Sequence, residues 1–149
     1  SNETAVHPLD WHCRILKHVS RPTVASEGLV CVAAVDQAIT IAVTLHELDA
    51  GPTDITVTKK LVDEAKLAFK IAGYVDAMSS IKAFAVASIK VPQEKLFLLS
   101  LRWLCEHTKS GMLDSLVWRD ARDMVADGLT KGSVDRSLLN LVCEGRQQV

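Results

Sequence analysis

The stretch DMVADGLTKG, residues 123–132, sets Asp127 among Val125, Ala126 and Leu129. A carboxylate in apolar company at the first turn of a helix has two uses. It can face the positive end of the helix dipole. It can also ligate a metal ion, because an unpaired carboxylate on an apolar turn is costly. Softer donors are present too, in His12, Cys13 and His18 and in Cys105 with His107. Neither set has the spacing of a zinc site, so no zinc centre is expected. Cys13, Cys31, Cys105 and Cys143 form no C-x-x-C pair and are expected as reduced, mostly buried thiols in an intracellular setting. Carboxylates are the donors to follow.

The elements that must position them belong to a chain of 149 residues and 16.3 kDa, read as one domain over 1–149. Hydrophobic residues make up 48% and the mean hydropathy is +0.17, which excludes a disordered chain. The net charge of -1 gives no global attraction to nucleic acid, so any such binding is local. The chain opens on SNETAVHPLDW without Met, as expected of a processed chain or a piece of a longer one, and no signal peptide is visible. The most apolar window, residues 28–45, carries Asp36 and Gln37 at its centre. It is expected as a buried core helix and not as a membrane span.

VHPLDWHC and RILKHVSR are short β-branched and aromatic runs that predict a hairpin. Pro22, Thr23 and Ser26 open a long helix over 25–48. DAGPTD breaks it, and ITVT (residues 55–58) predicts a short strand. Leu61, Val62, Ala65, Leu67 and Ala68 give KKLVDEAKLAFKIAG a helical pattern closed by Gly73. Residues 74–91 suit either type and are read as helix. A further helix spans 93–109 and ends at Gly111, LDSLVW is a strand, and ARDMVADGLTK and SVDRSLLNLVCEG are two last helices. Helices alternating with strands indicate an α/β or α+β layered domain. Trp11, Trp103 and Trp118 are expected in the core, not as base-stacking platforms, and Lys59, Lys60, Arg119 and Arg122 on solvated faces.

Four fragments taken in order resemble one family: DWHCRILKHVSRPTVASEGL, TVTKKLVD, PQEKLFLLSLRWLCE and VWRDARDMVADGLTKG. The series is similar to the ribonuclease H domain at the end of copia-type retrotransposon polyproteins. That family carries R-S-T-x-A-A-E at a helix start, then T-D-x-K-S-L, and W-V-x-T-x-x-x-x-A-D-x-L-T-K near its end. The resemblance implies a mixed five-stranded sheet flanked by helices, and cleavage of the RNA strand of an RNA–DNA hybrid by two Mg²⁺ ions. Such ions take hard oxygen ligands and clamp an in-line displacement. By the same resemblance Glu27 and Asp127 hold ligand positions, and both are the expected catalytic and metal residues.

Two further ligands of the family have no counterpart in this reading. Val57 stands where the second aspartate is expected, and neither Asp54 nor Asp63 is placed to replace it. The family's opening strand, with its first aspartate, lies upstream of the DWH strand, where no Asp precedes His7. Leu96, Phe97, Leu98 and Leu99 replace basic residues that would hold phosphate. The expectation is therefore a ribonuclease H-like domain, descended from the C-terminal part of a longer polyprotein and inactive as it stands, with no Mg²⁺ of its own and weak hybrid binding. One alternative is a co-opted interaction subunit, whose protein partner covers the edge left by the missing central strand. Another is an active nuclease completed by residues outside this chain.

Overall fold

The computed structural model describes residues 3–10, 23–76, 78, 81–82, 95–130 and 135–148. In chain order they form β1 (Glu3–Ala5), α1 (Thr23–Ala50), α2 (Ile55–Asp63), β2 (Ile71–Val75), α3 (Lys95–Ser110) and β3 (Leu113–Trp118). A 3-10 turn at Ala121–Asp123, α4 (Asp127–Thr130), α5 (Ser137–Cys143) and β4 (Arg146–Gln148) complete them. They cluster into two compact units, Ser20–Trp118 and Ser1–Val19 with Arg119–Val149.

In the larger unit α1 buries Cys31, Val35 and Ala42 along one stripe, the spacing of a single helix face. That stripe meets Leu67, Ile71, Leu104, Met112 and Leu113 in one core. By length and composition Glu27–Ala50 is apolar enough to cross a membrane; Cys31, Val35 and Ala42 pack on this core, but only 22% of the apolar window is buried, short of the buried core helix expected. β2 and β3 pair in parallel, with Tyr74 beside Val117 and Val75 beside Trp118. Helices on a parallel strand pair make this an α/β arrangement. Gly28 shows how close α1 and α3 come, because a Cβ there would lie 2.5 Å from the Phe97 ring.

The strand expected at ITVT is the first turn of α2. Asp54 has an extended backbone and its carboxylate accepts the Thr56 N–H at 2.8 Å, a helix N-cap. The Thr58 N–H bonds the Asp54 carbonyl at 2.8 Å, and the Thr58 hydroxyl reaches the same oxygen at 3.1 Å. β-Branched propensity lost to a good cap. The helix expected through to Gly73 stops at Asp63 instead. Ala65 lies in the left-handed region (φ 50°), Lys66 N–H returns to the Leu61 carbonyl and Ala65 N–H to that of Val62. This is a Schellman closure with alanine where glycine is usual. Gly73 ends no helix; it is the midpoint of β2, where a Cβ would meet Leu116 at 2.6 Å.

An alanine held at positive φ is strained. Ala65→Gly is therefore expected to stabilise the chain by about 0.5–1 kcal/mol after the unfolded-state entropy of glycine is deducted. A higher urea midpoint at unchanged slope is the expected readout, and a lower midpoint would contradict the strained closure.

The helix read over 74–91 begins as strand, since Tyr74 and Val75 belong to β2, and Asp76 is a bend; Met78, Ile81 and Lys82 are helical, and the other positions lie outside the described residues. α1, α3 and the LDSLVW strand fall where the sequence predicts them. Of the hairpin, residues 6–10 are not strand and 11–21 lie outside the described residues.

In the smaller unit β1 pairs antiparallel with β4, Thr4 opposite Gln147, and the Val6 N–H bonds the Gly145 carbonyl. ARDMVADGLTK is not one helix. Asp120, just ahead of it, caps a 3-10 turn that ends at Asp123, and among its described residues only Asp127–Thr130 is α-helical. SVDRSLLNLVCEG yields α5, Ser137–Cys143, followed by Gly145 at φ 78°.

Candidate functional site

Position 57 is not a strand end. Val57 sits in the first turn of α2, 48% exposed, so no strand carries it toward a shared site. Asp54 is committed to the cap of α2, and the Thr56 N–H holds its carboxyl below the usual range. Asp63 closes the same helix. The carboxylate that does follow a strand is Asp76. It stands directly after β2 and ahead of the helical residues Met78, Ile81 and Lys82.

The topology of the larger unit decides which end Asp76 occupies. α3 turns through Gly111 (φ 83°) into β3, so β3 runs back and ends beside the start of α3. β2 is parallel to β3 and ends with it, and Trp118 Nε1 donates to the Asp76 carbonyl at 2.9 Å. Gly28, in the second turn of α1, faces Phe97, in the first turn of α3. The opposite end of α1 meets the loop before β2, where Ala68 N–H donates to His46 Nδ1 at 3.3 Å. Glu27 and Asp76 therefore share the end of the layer where both parallel strands finish. In α/β sheets that is the end that carries ligand sites. Glu27 is half-buried and Asp76 exposed.

Asp127 belongs to the smaller unit. It is the first residue of α4, half-buried, and its N–H bonds the Met124 carbonyl at 3.1 Å. Its apolar company is thinner than the sequence suggests, because Leu129 is exposed. Gly128 is the buried position, with Leu139 of α5 packed over it. The structure thus places at the same end as Glu27 a carboxylate that the sequence reading passed over, Asp76. Its signal was Val75-Asp76-Ala77-Met78-Ser79-Ser80, which keeps the Asp and Ser of T-D-x-K-S-L.

Of the tryptophans, Trp103 packs on the core with its ring edge-on to His107, whereas Trp118 is partly exposed at the shared end and is not a core residue. Trp11 lies outside the described residues. Burial pushes the Cys31 thiol up to about 11, so it is inert at neutral pH; Cys143 is exposed, contrary to a mostly buried set. Lys59 and Lys60 are solvated as expected, Lys60 at 3.9 Å from Glu64. Arg122 forks onto Asp120, with Nε and Nη2 each 3.0 Å from a carboxylate oxygen.

That fork, with the Arg122 N–H, holds the Asp120 carboxyl at about 2. A folded pKa below the unfolded one stabilises above the unfolded value, and that contribution is lost as pH falls from about 4 toward 2. Asp120→Asn is expected to flatten this part of the stability–pH curve, by a small amount because the pair is solvent-screened. Thermal unfolding between about pH 5 and 2 reads it, and parallel curves for the two chains would contradict the fork.

Glu27 and Asp76 offer the hard oxygens that Mg²⁺ prefers. Among the described residues, however, no group of three or more His, Cys, Asp or Glu gathers to hold a metal ion. Compared with family models, curated proteins and solved structures, the chain finds no match.

Proposed function

We propose that this chain is a ribonuclease H-like domain of the copia-type polyprotein lineage that does not cleave RNA–DNA hybrids by itself and acts through protein contacts. One observation carries the reading. Glu27 and Asp76 lie at the same end of a parallel strand pair, where carboxylate sites occur, and two carboxylates are fewer than a two-metal site gathers. The inherited positions are then Glu27, Asp76 and Asp127, with Asp76 taking the part assigned by letter-matching to position 57. Hybrid grip is weak where the first turns of α3 carry Phe97, Leu98 and Leu99 in place of phosphate-binding cations.

The contact role is supported by large apolar side chains left in water: Leu48 at 79%, Ile55 at 83% and Leu99 at 61% exposed. The test is cleavage of a labelled RNA–DNA hybrid with Mg²⁺ or Mn²⁺. No product above background is expected. Metal-dependent cleavage by the unaltered chain, lost in Asp76→Asn, would overturn the reading.

A further inference from the structure

Between α2 and β2 the chain is pinned through backbone amides at both ends and in the middle. The Lys66 N–H bonds the Leu61 carbonyl at 2.8 Å, and the Ile71 N–H bonds the Met112 carbonyl at 3.2 Å. Between them the Ala68 N–H donates to His46 Nδ1 at 3.3 Å, across 22 residues of sequence. Leu67, beside Ala68, is 5% exposed and belongs to the core, so a side chain anchors this loop as well. The two outer acceptors are carbonyls, which do not titrate. The middle one is an imidazole nitrogen, which does. A backbone amide can only donate, so Nδ1 must be the bare nitrogen of a neutral ring with its proton on Nε2. A second proton lands on Nδ1, turns that acceptor into a donor and sets N–H against N–H. No rotation of the imidazolium restores the bond, because both of its nitrogens are donors.

We propose that His46 is a proton-operated clasp between α1 and the loop ahead of β2. Neutral, it holds the Ala68 amide. Protonated, it releases the loop at its middle while both ends stay fixed. Ala68 is exposed, so water takes up the freed N–H and the release leaves the core closed. The charged groups on the elements that meet there are Glu47 and Asp49 on α1, Asp63 and Glu64 at the end of α2, and Lys66 and Lys70 in the loop. Glu47 accepts from Thr53 Oγ1 at 2.9 Å, and Glu64 accepts from Lys66 Nζ at 2.6 Å. Lys66 and Lys70 flank Ala68, and their charge adds to the repulsion that an imidazolium meets at this loop. Asp49, three residues on along the same helix, is spaced to receive the imidazolium once it has let go. Both neighbours work in the direction of release.

The clasp involves neither Glu27 nor Asp76, so its failure and the failure of the nuclease reading are separate results. The test is nuclear magnetic resonance of the isotope-labelled full chain between about pH 8 and 5, the span in which imidazoles change charge. The neutral His46 ring is expected as the Nε2–H tautomer. As the ring takes its second proton, the Ala68 amide is expected to follow it in chemical shift. Its protection from exchange should fall by about threefold to tenfold, the net worth of one such bond. The Lys66 and Ile71 amides are expected to hold their shifts. In His46→Asn the side-chain oxygen takes the place of Nδ1 and does not titrate, so Ala68 stays protected and its shift stays flat. Circular dichroism checks that the variant keeps the fold, and the unaltered chain decides the matter by itself. An Nδ1–H tautomer would overturn the proposal, as would an Ala68 amide indifferent to the ring's titration or one that responds equally in His46→Asn.

Discussion

Val57→Asp is expected to leave the chain unable to cut an RNA–DNA hybrid with Mg²⁺ or Mn²⁺. By letter-matching, position 57 lacks only an aspartate. By geometry it lies in the first turn of α2, on a solvent-exposed side chain of a helix capped by Asp54. A carboxylate added there joins no strand end. Two-metal hydrolysis needs carboxylates converging from several elements, because the ions must clamp both oxygens of the displacement. Glu27→Gln and Asp76→Asn are accordingly expected to change nothing in the same assay, since no activity rests on them. A product ladder gained by Val57→Asp alone would move the site to α2 and discard the shared end of α1, β2 and β3.

The elements that were legible in the sequence are those whose signals agree at every level. α1 has a start signal at Pro22 and Thr23, an unbroken apolar stripe and a breaker after Ala50. β3 is a compact β-branched run behind Gly111. The region between α1 and α3 differs from the expectation because its decisive signals are single atoms. One carboxylate of Asp54 turns a β-branched tetrapeptide into a helix start. One left-handed alanine, where glycine would have announced a stop, cuts a helical pattern in two and frees Ile71–Val75 to become a strand.

The candidate site followed the same division. Glu27 is a candidate named from a helix-start motif, and its place near the start of α1 was legible. Asp76 was hidden, because its significance depends on β2 being a strand, and β2 had been absorbed into a helix. Asp127 was legible as a first-turn residue of a helix, though that helix is a single turn. Motif letters locate a ligand only after the element beneath them is known.

Leu104→Ala is expected to destabilise the larger unit by about 2–5 kcal/mol. Leu104 is 0% exposed, on the face of α3 that meets the common core of α1, β2 and β3. Removing its branched end leaves a cavity lined by close-packed groups, so both transfer and lost contacts count. Met112, buried in the same core, is the flexible side chain there that could move toward the hole, which favours the lower half of that range. Against a total stability of about 5–15 kcal/mol, even the lower half is a large fraction. Leu99→Ala on the same helix is the control, because that side chain is 61% exposed and its loss is expected to cost no more than about 0.5 kcal/mol. Urea unfolding of both variants separates them by midpoint. Hydrogen exchange adds the location, since the amides of Tyr74 and Val117 should lose protection when the helix layer under the strand pair loosens. Equal midpoints for the two variants would mean that this face of α3 is not the core, and the packing that sets Glu27 and Asp76 at one end would fall with it.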